Sequence, residues 1–442
     1  MRHFPVAIII TTALATHRAA GHSSALSSAG TPDRYLEPLA FERLPVGSIR
    51  PTGWLQRQLQ TAADGYTGHL CDWYDLCTNS TWLGGAQEAP NPEVFGYWLN
   101  GASVLAYQID DDHLSNVVST VIDYVLEHAQ PDGLLGVPLV EQPQCVTHRG
   151  NQTCKPPRFD NGTLYWSKSL VVFALQHYAE GNESDTRTIP ALMRHFAAIG
   201  DHLETVPPAM WGASRWVESA LGMQWMMDRG MGNTRLLETL HSLKNQSTAL
   251  YDWPARFLEQ GGPWNMMDPQ GTEKELHHGV NLAEAIKVGA VWYRVSRNPH
   301  DLDNTRIALD HLTRIAGSPS GAFIADEIYT PPNTAARGTE TCNVVETMWS
   351  MENAFSISGD ISYADRLERL AYNALPAALW PDITANVYLQ MTNMIMAKDA
   401  PTHYWPHDGT KSTIYGLHRC CTSNCAHFAS HLLYACMRRA AR

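Results

Sequence analysis

Two short strings hold the residues best suited to chemistry: Gly338-Thr-Glu-Thr-Cys342 and His418-Arg-Cys-Cys-Thr-Ser-Asn424. Glu340 and Cys342 are two positions apart, which places both side chains on one face of an extended segment. Cys420 and Cys421 are neighbours, so both reach a common point only where the backbone bends. Three sulfurs and one carboxylate make a soft tetrahedral donor set, for which zinc is the natural occupant. Spacing alone leaves a second reading open. Cysteines of an exported protein commonly pair as disulfides, and neither Glu-x-Cys nor Cys-Cys follows a zinc-finger spacing.

Side chains so far apart in sequence need a scaffold that folds back on itself, and the chain between them has a helical period. Val104–Ile109, Leu164–Tyr178, Ile189–Leu203, Val217–Met227, Leu282–Val295 and Val344–Ile357 repeat apolar residues at three and four spacings. The stretches end alike, on an aromatic or Met, a few polar residues and then Gly, Asn or Asp, as in Tyr178-Ala-Glu-Gly-Asn and Phe355-Ser-Ile-Ser-Gly-Asp. Such endings suit a helix C-cap followed by the N-cap of the next helix. They recur roughly every fifty to seventy residues, the length of a helical hairpin. Hairpins closing on themselves predict an all-α fold, an (α/α)6 toroid, with one β-prone segment from Ile383 to Met391. Trp54, Trp73, Trp82, Trp98, Trp166, Trp211 and Trp264 fall in loops or near helix starts. They serve equally well as core filler or as stacking surfaces for sugar in a central cleft.

Composition narrows the setting. A net charge of -12 excludes a nucleic-acid partner, which needs a basic face. Arg2 and His3 precede an apolar run from Phe4 to Leu14 and then small residues, which reads as a signal peptide over residues 1–21. The run is too short to span a bilayer. Sequons at Asn79, Asn151, Asn161, Asn182 and Asn245 agree with a secreted, extracellular glycoprotein without a membrane partner. Cys71 with Cys77 and Cys145 with Cys154 are close pairs in polar, loop-like sequence, and each is expected to form a local disulfide. Cys342, Cys420, Cys421, Cys425 and Cys436 remain, an odd number, so at least one thiol needs another explanation.

These strings resemble the β-L-arabinofuranosidase family, glycoside hydrolase family 127, in which a Glu-x-Cys and a later Cys-Cys hold zinc. The similarity runs from Ile49-Arg-Pro-Thr-Gly-Trp-Leu through Trp82-Leu-Gly-Gly, Tyr97-Trp-Leu-Asn-Gly101, His278-Gly-Val-Asn281 and Ala325-Asp-Glu327 to Cys420-Cys-Thr-Ser-Asn424. It covers most of the mature chain, residues 22–442, and is that of a secreted, fungal-type catalytic domain. The resemblance implies zinc on Glu340, Cys342, Cys420 and Cys421, with Cys420 as the nucleophile that attacks the anomeric carbon. It implies an acid/base carboxyl, for which Glu327 is the candidate and Asp326 and Glu346 the competitors. His278, Tyr97 and Asp326 are the expected contacts to substrate.

The family pattern continues past the cysteine pair into further helix and a C-terminal β-sandwich domain, which is not expected here. The favoured reading is therefore a retaining exo-glycosidase releasing a furanose such as β-L-arabinofuranose from plant cell-wall glycan or glycoprotein. Two others stand beside it. One is another α/α-toroid enzyme, a uronyl hydrolase or lyase with structural cysteines. The other is an inactive sugar-binding remnant.

Overall fold

The computed structural model describes residues 35–87, 93–139, 144–148, 151–155, 161–247, 278–325, 337–391, 412–414, 421 and 438–440. The proposed signal segment, Asp326, Glu327, Cys420, Cys425, Cys436 and Trp264 lie outside them. From Tyr35 onward the chain is one compact unit.

Helices α1 (Gly53–Asp64), α2 (Tyr66–Trp73) and α3 (Asp75–Thr78) precede a long helix α4 (Val94–Ile109) and its partner α5 (Asp112–Glu127). Then come α6 (Leu164–Gly181), α7 (Thr188–His202), α8 (Met210–Ser214), α9 (Trp216–Met226) and α10 (Thr234–Gln246). The last helices are α11 (Gly279–Ala285), α12 (Val288–Ser296), α13 (Pro299–Ala316), α14 (Thr341–Ser358), α15 (Ile361–Arg369) and α16 (Leu375–Ala378).

The helices sort into two kinds by burial. Helices α4, α6, α9 and α14 are buried almost all round. Helices α5, α10 and α15 bury one stripe each, in α5 Leu114, Val118, Ile122 and Val125. An all-round buried helix belongs to the core, and a striped one covers it. Helix α4 packs on α6, α6 on α9, α9 on α12, and α12 on α14, while α5, α7, α13 and α15 lie against this inner set. The expected all-α toroid is the observed fold.

Caps begin the outer helices where the sequence places them. Asp111 accepts from Leu114 N at 2.8 Å, Asn233 from Leu236 N at 2.8 Å and Asp360 from Ser362 N at 2.9 Å. Each is worth about 1 kcal/mol. Helix α14 ends at Gly359, whose φ of 76° suits a residue without a Cβ.

The ring closes through the first and last hairpins. Tyr66 N donates to Ile383 O at 3.0 Å and its hydroxyl to Asn386 Oδ1 at 3.2 Å. Gly65 is required between them, since a Cβ there would lie 2.5 Å from Ile383 O.

The β-prone segment does form strands, Ala385–Val387 and Leu389–Met391. Two departures from the sequence reading are instructive. The stretch Leu282–Val295 is not one helix, because it is interrupted after Ala285 and resumes at Val288. The interruption holds Lys287, which is fully buried and ion-paired to Glu218. The polar segment around Cys145 and Cys154 is not a loop but a hairpin of Gln144–His148 with Asn151–Lys155, in which those two cysteines stand opposite each other. Its largely polar sequence offers no alternation to read.

Candidate metal centre and sugar site

The sulfur site is built where a strand runs into an inner helix. Gly338–Glu340 pairs antiparallel with Leu389–Met391, and Glu340 then serves as the N-cap of α14. Thr341 anchors the junction, its N donating to Tyr388 O at 2.9 Å and its Oγ1 to Val387 O at 2.6 Å. Cys342 therefore sits in the first helical turn, not two places along a strand as the spacing suggests. The turn into helix brings it beside Glu340 all the same. A helix N-terminus favours negative charge, and with it a thiolate.

Cys421 arrives from near the C-terminal end of the chain. Its Sγ lies 3.0 Å from Cys342 Sγ and donates to Glu340 Oε1 at 3.6 Å. Both residues are buried and no disulfide joins them, which removes the reading that they bridge one another. Val280, Tyr388 and Leu389 enclose them. The three donor atoms lie within 4.8 Å of one another. Two sulfurs and one carboxylate oxygen so placed fit a small, soft, tetrahedral cation of the zinc class. Cys71 and Cys77, by contrast, are disulfide-bonded as expected.

A second buried cluster lies one turn further along α14. Glu346, Glu284 and Glu218 come within 4.8 Å of one another. Arg215 Nη1 pairs with Glu284 at 3.0 Å, and Lys287 Nζ with Glu218 at 2.5 Å. Trp349 Nε1 donates to Glu218 at 2.9 Å. With an ammonium and a guanidinium already among the carboxylates, this cluster has no need of a metal. Burial, reinforced by Glu346 and Glu218 and opposed by Arg215, holds the Glu284 carboxyl well above the usual range. Burial alone would pull Arg215 down, but Glu284, Tyr97 and Glu346 outweigh it and hold the guanidinium charged.

Of the expected sugar contacts, Tyr97 joins this cluster directly and His278 lies beside it against Asn281 and Trp211. Tyr97 donates to Glu346 Oε1 at 3.1 Å and accepts from Arg215 Nη1 at 3.3 Å. Burial, then the neighbouring Glu346, raises its phenol well above the usual value. His278 caps α11, its Nδ1 accepting from Asn281 N at 3.4 Å, and its ring meets the edge of Trp211 at 4.8 Å. Arg215 stacks on Trp166 at 4.1 Å and on Trp211 at 4.9 Å from the ring centroids. Of the other tryptophans, Trp82 and Trp98 fill the core, whereas Trp54 and Trp73 are exposed.

Sequence reasoning misses Arg215, Glu218, Glu284 and Lys287. The available signal is charge inside or at the start of otherwise apolar helical runs, where a charge must find a partner.

Known proteins share both the sequence pattern and the architecture. The model for the β-L-arabinofuranosidase GH127 catalytic domain matches residues 22–432. The chain belongs to this family. Among solved structures, the GH127 β-L-arabinofuranosidase from Geobacillus stearothermophilus T6 superposes with a TM-score of 0.63 at 14% identity, over 89% of this chain and 65% of that one. Another GH127 β-arabinofuranosidase gives 0.62 at 14% identity, over 90% and 62%. At such identity the likeness is one of fold. The chain spans a little over three fifths of the length of those structures, 62% and 65%. No curated protein matches the sequence.

Proposed function

We propose that this GH127 chain is a retaining exo-glycosidase that releases a neutral furanose of the β-L-arabinofuranose type from plant cell-wall glycan or glycoprotein. One observation carries the reading: Glu340 and Cys342 meet Cys421, 81 residues beyond Glu340, with their donor atoms within 4.8 Å of one another. Cys420, beside Cys421 in sequence, supplies the fourth donor and the nucleophile. A bound zinc ion would keep these sulfurs ionised near neutral pH and ease the departure of sulfur from carbon.

The chain's own groups account for the remaining steps. Cys420 sulfur bonds to the anomeric carbon as the glycosidic oxygen leaves, and Glu327 gives that oxygen its proton. Glu327 then takes a proton from water, whose oxygen displaces the sulfur from the face that the glycosidic oxygen left, so two inversions retain the configuration. The buried Glu340 and the first turn of α14 hold Cys342 and Cys421 in place.

Export is part of the proposal. It draws support from the N-terminal apolar run, the Cys71–Cys77 disulfide and the exposure of the sequon residues Asn79 and Asn245. Secretion with a glycosidase-sensitive mass would bear it out.

A panel of aryl glycosides tested on wild type, Cys420→Ala and Glu327→Gln, with metal analysis of each, tests the chemistry. Zinc near one equivalent and loss of turnover in both variants are expected. Turnover surviving Cys420→Ala rejects the nucleophile, and survival in Glu327→Gln alone moves the acid to Asp326 or Glu346.

A further inference from the structure

Buried donors in folded proteins almost always have acceptors, so one without an acceptor asks for a ligand. Trp166 is 3% exposed and its Nε1 makes no hydrogen bond among the described residues. The guanidinium stacked on it, Arg215, is 4% exposed. Its Nε is used by Asn281 Oδ1 at 2.8 Å and its Nη1 by Glu284 and Tyr97. Its Nη2 donates to none of the described residues. Two unsatisfied donor groups thus sit together, with Trp211 beside both the guanidinium and the Trp166 ring.

The stack is adjacent to the sulfur site through a single helical turn. Val280 packs with Cys342 and Cys421, while the next residue, Asn281, holds Arg215. Asn343, one position after Cys342, donates to Gly279 O at 2.8 Å and fixes that turn against α14. Trp211 is carried on the short helix α8, which opens at Met210 with a φ of 45°, a left-handed conformation that costs energy in a residue with a side chain. Strain of this kind is retained where a side chain must be aimed.

We infer that Arg215 and Trp166 are hydroxyl-recognising residues of the sugar site, offering Nη2–H and Nε1–H to oxygen atoms of a neutral monosaccharide unit. The inference deepens the carbohydrate reading above and rests on it. An anionic sugar does not suit the place. Three carboxylates surround the two cations Arg215 and Lys287, so the cluster is neutral or negative wherever its proton resides. Neutral hydroxyls accept such donors without adding charge, and an aromatic wall beside them suits the apolar face of a sugar ring.

The test is direct binding by isothermal titration with free L-arabinose and with D-galacturonate, on wild type, Trp166→Phe and Arg215→Lys. Trp166→Phe keeps the ring and deletes the donor. Arg215→Lys keeps the partner charge for Glu284 and deletes the forked edge. Each is expected to weaken L-arabinose binding by roughly tenfold, the size of one hydrogen bond. Trp166→Phe should leave thermal unfolding and zinc content near those of wild type, and D-galacturonate should bind more weakly than L-arabinose. Unchanged L-arabinose binding in the folded Trp166→Phe protein overturns the inference, as does tighter wild-type binding of the uronate. The inference also fails if wild type binds neither sugar. Should wild type bind L-arabinose without any turnover of aryl glycosides, and the variants lose that binding, the recognition role stands while the hydrolytic mechanism falls.

Discussion

Two buried clusters share helix α14, one turn apart, and they solve the problem of buried charge in opposite ways. The carboxylates of Glu218 and Glu284 are answered by the protein's own Lys287 and Arg215. Such a cluster is complete on folding, and its energy depends on every partner being present. Glu340, Cys342 and Cys421 instead assemble soft donors suited to a cation that comes from outside. The first arrangement balances its charge from within the fold; the second is a set of donors that fits an added cation. The contrast teaches that acidic residues near one another are not in themselves a metal site, and that donor softness and built-in cations decide which is which.

Breaking the carboxylate cluster has the largest expected effect. Lys287→Met leaves Glu218 buried with its Trp349 bond but without its ammonium. A loss of about 3–5 kcal/mol is expected in urea unfolding, with most of it recovered in the Lys287→Met/Glu218→Gln double variant. A loss below about 1 kcal/mol in the single variant would show that water or a rearranged partner already reaches this lysine.

Breaking the sulfur cluster comes next and acts through the metal. On the proposed reading, Cys342→Ser, or chelation of the wild type, removes a bound zinc ion. Where free zinc stood at a thousand times its dissociation constant, removal costs about 4 kcal/mol of stability. The Cys342→Ser protein should then be indifferent to chelator. A chelator-induced shift in its unfolding equal to that of wild type would place the ion elsewhere.

The pH dependence separates the clusters further. Glu284 carries a folded pKa above its ordinary value of 4.5 because burial dominates. The folded state therefore keeps a proton that the unfolded chain has released. Its contribution is fully present below that ordinary value and is lost as pH rises toward the folded one, at up to about 1.4 kcal/mol per pH unit. Glu284→Gln should flatten this part of the stability profile whatever its absolute stability. An identical slope in the two proteins would assign the proton to another member of the cluster.

The same contrast explains which residues are legible in the sequence. Cysteine in a Glu-x-Cys or Cys-Cys string is rare enough to stand out, so Glu340, Cys342 and Cys421 are legible, although their geometry is not. The strand expected to carry both Glu340 and Cys342 ends at Glu340, because pairing with Leu389 stops there and the helix begins. Helical period reveals the inner and outer helices, since apolar spacing reports burial. It misleads where a core helix carries charge. Glu218, Glu284 and Lys287 look like solvent-facing residues until Arg215 and Lys287 are seen paired inside. A hairpin such as Gln144–His148 with Asn151–Lys155 escapes notice because its largely polar sequence has no apolar alternation. Partnerships between distant charges depend on the closed ring, and local periodicity carries no trace of them.

The smallest expected effect asks whether the clusters are separable at all. Tyr97 is the hydroxyl between Arg215 and Glu346, accepting from one and donating to the other. Tyr97→Phe keeps the ring against Trp166, whose centroid is 6.1 Å away, and removes only the hydroxyl. Arg215 retains Glu284 and Asn281, so its charge stays compensated. The cost should be roughly 1–2 kcal/mol, the scale for losing a buried hydroxyl between charged groups. Zinc content and the reactivity of Cys342 and Cys421 toward a thiol reagent should not change, because the carboxylate cluster balances its charge without reference to the sulfurs. A Tyr97→Phe protein that lost zinc would join the two clusters into one electrostatic unit, with the hydroxyl as the link between them.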